Sequence, residues 1–232
     1  MFSKDDLVLM MSAAFTAPYL DIDEEYMISG DEALRLVDMY NDEVVDYIKM
    51  SGVKTLPSLA LQEDVHILYN GTLIYVGRFS GGSIPSQTIF RYKKVYRKIV
   101  LLHTHPVPLP IPTPEDLISM YQIGYDIECV LSRVDRDLAK MVCVKPVDSF
   151  YKVAIAANRF AETFYRSVDK YVVVEGEDGV MFIPYPSKSR LDVIEKEFIS
   201  ILSRNADISI VELDMTKNEF AYNRISQHSA VF

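Results

Sequence analysis

The sequence predicts an α/β protein in which helices pack on a central mixed β-sheet. Three observations carry that reading. Short runs rich in β-branched residues alternate with stretches of helical periodicity. Two such runs, residues 65–69 and 72–76, flank Asn70-Gly71, a pair suited to a tight hairpin. A third run, Ile99, Val100, Leu101 and Leu102, ends in His103-Thr104-His105. It then passes through five alternate prolines from Pro106 to Pro114 and meets Thr113-Pro114-Glu115-Asp116, which reads as strand, stiff loop and helix start.

Taken in order, residues 1–28 hold apolar clusters without a clear period and predict no element. Ser29-Gly30-Asp31-Glu32 reads as a capping box that opens a helix. Leu34, Val37, Val44, Val45 and Ile48 follow at helical spacing, and Gly52 stops the run. Residues 58–80 read as β structure around the Asn-Gly turn. Ser80-Gly81-Gly82-Ser83 reads as a plain turn, because no lysine of the phosphate-loop kind follows. Residues 87–98 are basic and aromatic and predict an amphipathic helix with Ile89, Phe90, Val95 and Tyr96 as its stripe. Its basic side is either a solvated face or a contact surface for an acidic partner or nucleic acid.

Beyond the proline loop, Leu117, Ile118 and Tyr121 continue a helix to Gly124. Residues 127–132 and 138–144 predict two strands around Asp135-Arg136-Asp137, ended by Pro146. Asp148 or Ser149 caps a helix to about Arg166. Residues 171–174 and 180–183 form a hairpin, residues 189–204 a helix, and residues 208–213 and 220–225 two late strands. This tail is either a small α+β unit or an extension of the same sheet.

With 232 residues, 49% of them hydrophobic, the chain can bury a sizeable core. Its net charge of −9 argues against non-specific binding to nucleic acid, which depends on Lys and Arg contacts with phosphate. The start, Met1-Phe2-Ser3-Lys4-Asp5-Asp6, lacks a basic n-region, and no apolar run has the length of a membrane span. A cytoplasmic protein is therefore expected. Cys129 and Cys143 form no zinc spacing and fall in neighbouring predicted strands. They are expected as buried free thiols near one another.

Two of the four histidines lie in the central stretch. Residues two apart on a strand share a face, so His103 and His105 present their imidazoles side by side. The proline loop can bring Asp116 back over them. Two His and one Asp suit Zn²⁺, and a fourth position left to water makes such a site catalytic. Thr113, Pro114 and Asp116 also fit an ordinary capped helix start. That second reading leaves two buried histidines facing one way without a reason.

His-x-His, seven residues, Thr, two residues, Asp resembles the signature of the JAMM (MPN+) metalloprotease family. His103, His105, Thr113 and Asp116 occupy its positions, and Pro106 matches the residue after the second His. Thr113 stands where the family usually has Ser. The resemblance implies an MPN, cytidine-deaminase-like fold over residues 55–167; the residue patterns add a helical segment at 1–54 packed on it and an α+β extension at 168–232. The resemblance implies Zn²⁺ on His103, His105 and Asp116, with Thr113 helping to hold the oxyanion. It also implies a glutamate base from the strand region upstream, either Glu63, just before the run 65–69, or Glu43. The order glutamate, hairpin, Gly-rich loop, helix, His-x-His-Pro is similar to the RadC-type branch.

The implied activity is hydrolysis of a peptide or isopeptide bond, with a protein or peptide substrate such as a ubiquitin-like modifier conjugate. The alternatives are a non-catalytic MPN-like scaffold in a larger complex, or a RadC-like role beside DNA repair. The latter rests on the basic residues 91–98 alone.

Overall fold

The structure is a computed structural model that describes residues 2–80, 86–96, 98–176 and 179–226. Most of the expected turn at 80–83, from Gly81 on, lies outside the described residues.

The helices and strands follow in chain order as α1 (Lys4–Met11), β1 (Met27–Ser29), α2 (Gly30–Leu36), α3 (Asn41–Ser51), β2 (Leu56–Pro57), β3 (Gln62–Tyr69) and β4 (Thr72–Ser80). Next come α4 (Ser86–Val95), β5 (Val100–His105), α5 (Pro114–Ile123), β6 (Ile127–Arg133), β7 (Leu138–Pro146) and α6 (Phe150–Ser167). The chain ends with β8 (Lys170–Gly176), β9 (Gly179–Pro184), α7 (Lys188–Leu202), β10 (Ala206–Asp214) and β11 (Glu219–Ile225).

The larger sheet is mixed and seven-stranded, in the order β11-β10-β7-β6-β5-β3-β4. Its ladders are antiparallel except β5–β6, whose parallel pairing follows from the crossover through the proline loop and α5. Asn70 and Gly71 both take positive φ and close the β3–β4 hairpin, as their sequence suggests. A smaller sheet joins β1 and β2 from the N-terminal third to β8 and β9 from the C-terminal third. β10 and β11 extend the larger sheet through β7. Strand pairing therefore crosses both residues 54/55 and residues 167/168, and the tail contributes to both sheets.

Side-chain alternation divides the core in two. On one face of the larger sheet, Leu7, Met10 and Met11 of α1 cover Leu102, Leu131, Met141 and Val211. On the other, α5, α6 and α7 bring Leu117, Phe160, Phe164 and Phe198 onto Val142, Val144, Ile208 and Ile210. The second face continues through Val65, Ile67, Leu101 and Met120. His103 belongs to this helix-covered face, because it shares strand parity with Leu101 and stands opposite Val65.

Three expectations are corrected. The N-terminal region does form a helix, α1, started by a capping box in which Ser3 and Asp6 satisfy each other's backbone N–H. The single helix expected from Ser29 to Gly52 is two. Ser29 caps α2, the chain turns after Leu36, and α3 restarts with Asp42 and Glu43 in its first turn. Finally, Cys129 and Cys143 are not free thiols. They face each other across the β6–β7 ladder on the α1 side of the sheet and form a disulfide.

Candidate metal centre

β5 delivers His103 and His105 at its carboxyl end, both buried, into the space under the start of α5. The alternation expected of a strand holds, and the imidazoles meet with their Nε2 atoms 3.1 Å apart. Asp116 enters from the first turn of α5. Its Oδ1 lies 3.6 Å from His103 Nε2 and its Oδ2 3.6 Å from His105 Nε2. Among the described residues, these three form the one cluster whose ligand atoms suit a metal ion, all within 4.8 Å of one another.

The helix cap and the metal set turn out to be one device. Thr113 caps α5, its Oγ1 accepting the Asp116 N–H at 3.3 Å. The Thr113 N–H and O–H both donate to Asp116 Oδ2, at 2.7 and 2.8 Å. Oδ2 is thereby fixed, and Oδ1 faces His103 Nε2. The proline loop brings this turn over β5, as expected, and also supplies the Leu109 carbonyl, 2.6 Å from His105 Nδ1.

That contact settles a tautomer. With a carbonyl beside it, His105 Nδ1 carries the proton and Nε2 keeps its lone pair. On His103, Nδ1 stands 2.9 Å from Glu128 Oε1, at ion-pair distance but without the alignment of a hydrogen bond. Glu128 is fully buried on β6, and burial pushes its carboxyl up to about 6 against the pull of His103. His105 Nε2 is then an acceptor, so its 3.1 Å contact calls for a proton on His103 Nε2; without one, two lone pairs and a carboxylate converge. Such a set repels itself unless a proton or a cation stands in the middle. The donor set therefore fits a divalent cation such as Zn²⁺, with histidines oriented from behind by a carbonyl and a carboxylate.

A proton on His103 Nε2 is one way to fill that role. Burial opposes charge on His103, but Asp116 and then Glu128 outweigh it and hold its pKa well above the ordinary histidine value. Asp116 is likewise desolvated, yet His103 and then His105 hold it well below the ordinary carboxylate range.

Glu63 comes from the start of β3. The β3–β5 register pairs Val65 with His103 and, continued by two residues, sets Glu63 opposite His105 on the same face. Burial raises its carboxyl above the ordinary value, the two imidazoles draw it down, and Asp116 adds to the rise. Glu63, His105, Thr113 and Asp116 line one cavity of about 250 Å³. Leu61, Val107, Leu109, Phe164 and Phe182 make its apolar wall. The other glutamate weighed from sequence, Glu43, is exposed in the first turn of α3, where its carboxylate accepts the Tyr40 N–H at 3.4 Å. It does not line the cavity.

Sequence reasoning missed Glu128. Its signal was a lone acid inside the apolar run Ile127 to Leu131, a position that a sheet strand buries. His66 packs against the Tyr75 ring, and its buried Nδ1 has no hydrogen-bond partner. It lies on the opposite face of β3 from Glu63.

No family model, no curated protein and no solved structure matches this chain. Among the described residues, no helix is long and apolar enough to cross a membrane.

Proposed function

We propose that this protein is a zinc-dependent peptidase or isopeptidase of JAMM type, built on an MPN-like arrangement of its mixed sheet. One observation carries the reading. Three ligand atoms from two elements converge, and Glu63, from a third element, lines the same cavity. A capped helix alone needs neither the histidines nor the glutamate.

His103, His105 and Asp116 would hold the ion. A divalent cation there would polarise a carbonyl and lower the pKa of a water. The other roles belong to the chain. Glu63, deprotonated, accepts a proton from the attacking water and returns it to the leaving amine. Thr113 holds Asp116 by its N–H and O–H, and its place on the cavity wall also suits the oxyanion role implied by the resemblance. Glu128 and the Leu109 carbonyl keep the imidazole rings turned inward.

The apolar wall favours a polypeptide substrate, with a side chain lodged against Phe164 and Phe182. A ubiquitin-like modifier conjugate is the substrate the family likeness suggests. The test is hydrolysis by the zinc-loaded protein of a panel of peptide and isopeptide conjugates, beside Glu63→Gln. Cleavage by wild type that Glu63→Gln loses supports the reading. Equal turnover by both removes Glu63 from the mechanism, and no cleavage of any conjugate favours the scaffold.

A further inference from the structure

The pairing of β3 with β5 stops two residues short of Glu63, at Val65–His103. The base proposed above therefore sits beyond the last ladder pair to the strand that carries the histidines. Its backbone remains paired to β4, opposite Phe79, but β4 is the sheet's edge strand.

The gap is bridged by a side chain. The buried Asp64 N–H donates to Thr104 Oγ1 at 2.8 Å. Thr104 is the residue between the two histidines, is fully buried, and points to the opposite face of β5. Its hydroxyl takes the place that a backbone carbonyl would hold if the ladder continued.

Asp64 is clamped at its other end as well. Its carboxylate takes a two-pronged pair from Arg78, with Nε and Nη2 each at 2.7 Å, and the Tyr75 hydroxyl at 3.2 Å. Tyr75 and Arg78 are three apart, a spacing that on a regular strand sends side chains to opposite faces. The irregularity in β4 between its partners Val65 and His66 restores their parity, so both reach Asp64. Asp64 thus ties β4 to β5 at the one residue next to Glu63.

We infer that Thr104, Asp64, Arg78 and Tyr75 form a positioning device that fixes the Glu63 carboxylate over the imidazole pair. The inference rests on the role proposed for Glu63, but its geometric content is separate. These residues touch neither the ligand atoms nor the cavity. They act through the backbone of Asp64. Displacing a catalytic group by about 1 Å can cost on the order of 100-fold in rate.

The test uses Thr104→Val, which keeps shape and loses the hydroxyl, Thr104→Ser, which restores it, and Arg78→Gln, which opens the clamp from the partly exposed side. Each is read by crystal structure, zinc content and steady-state kinetics on a cleaved conjugate. The expected result for Thr104→Val and Arg78→Gln is wild-type zinc content, His103, His105 and Asp116 in place, and a Glu63 carboxylate displaced or spread over several conformers. With it comes a kcat about 10- to 100-fold lower at unchanged KM, recovered by Thr104→Ser. Glu63 unmoved in both variants overturns the inference. So does a displaced Glu63 with unchanged kcat. If Thr104→Val does not fold, Arg78→Gln decides by the same readouts. If wild type cleaves nothing, the hydrolase reading fails on its own, and the crystallographic comparison still decides whether this device positions Glu63.

Discussion

Glu128 Oε1 lies 2.9 Å from His103 Nδ1, on the far side of the ring from Asp116. The carboxylate is fully buried on β6, where an unpaired charge is costly. Behind a metal-binding imidazole it orients the ring and raises its basicity. Glu128→Ala should weaken zinc binding by about 10- to 100-fold. Glu128→Gln, which keeps an acceptor of the same shape, should weaken it less. Competition with a chromophoric chelator measures both.

Zinc binding should release a proton at neutral pH. The sign follows from His103, whose pKa is raised in the metal-free protein. The stability it lends is complete below the ordinary histidine range and is lost as pH rises through the raised value. Asp116 is shifted the other way, so its share is present above the ordinary carboxylate range and lost as pH falls through the lowered value. A cation must displace the His103 proton, so affinity should climb with pH across neutrality. Calorimetry in two buffers of different ionisation enthalpy detects that proton. Identical heats in the two buffers would contradict it.

Glu63→Gln should retain zinc and lose about 100- to 10,000-fold in turnover. In wild type, burial raises the Glu63 carboxyl above 4.5. A base must be deprotonated, so activity should fall on acidification as Glu63 takes up a proton. A pH–rate profile locates that limb.

Much of this site was legible in the sequence, because strand parity and proline stiffness are local properties. His103 and His105 share a face, and the link from Pro106 to Pro112 returns Thr113 and Asp116 to them. The burial of Glu128 left a local signal, but its partner His103 did not, since β5–β6 pairing supplies it and no local pattern encodes that. The split between α2 and α3 was hidden for a similar reason. No Gly or Pro marks it, and the change of phase buries Ala33 and Leu36 while leaving Val37 exposed. On α4 the stripe was misplaced by tertiary packing. Ile89 is buried and Tyr92 and Tyr96 pack beside it, whereas Phe90 and Val95 face outward.

Thr113 has two tasks that substitutions can separate from folding. Thr113→Ser keeps the cap and the hydroxyl bond to Asp116, and should leave zinc affinity near wild type. Thr113→Val loses both. It should lower stability by about 1 kcal/mol, the usual worth of a helix N-cap, and weaken zinc binding as well. Thermal melts with and without chelator divide the two effects.

The Cys129–Cys143 disulfide closes a loop between residues 14 apart on the face away from the histidines. Removing both cysteines as Cys129→Ala/Cys143→Ala should lower stability by about 3 kcal/mol or less. Zinc stoichiometry should not change. Denaturant titration reads the first and elemental analysis the second.

The most direct measurement is the zinc content of purified protein by elemental analysis, taken beside His103→Ala and Asp116→Ala. Convergent lone pairs on His103, His105 and Asp116 call for one ion per chain in wild type, lost in both variants with the fold intact by circular dichroism. Wild type that stays metal-free under zinc supply, or variants that keep the ion, would contradict the proposed centre.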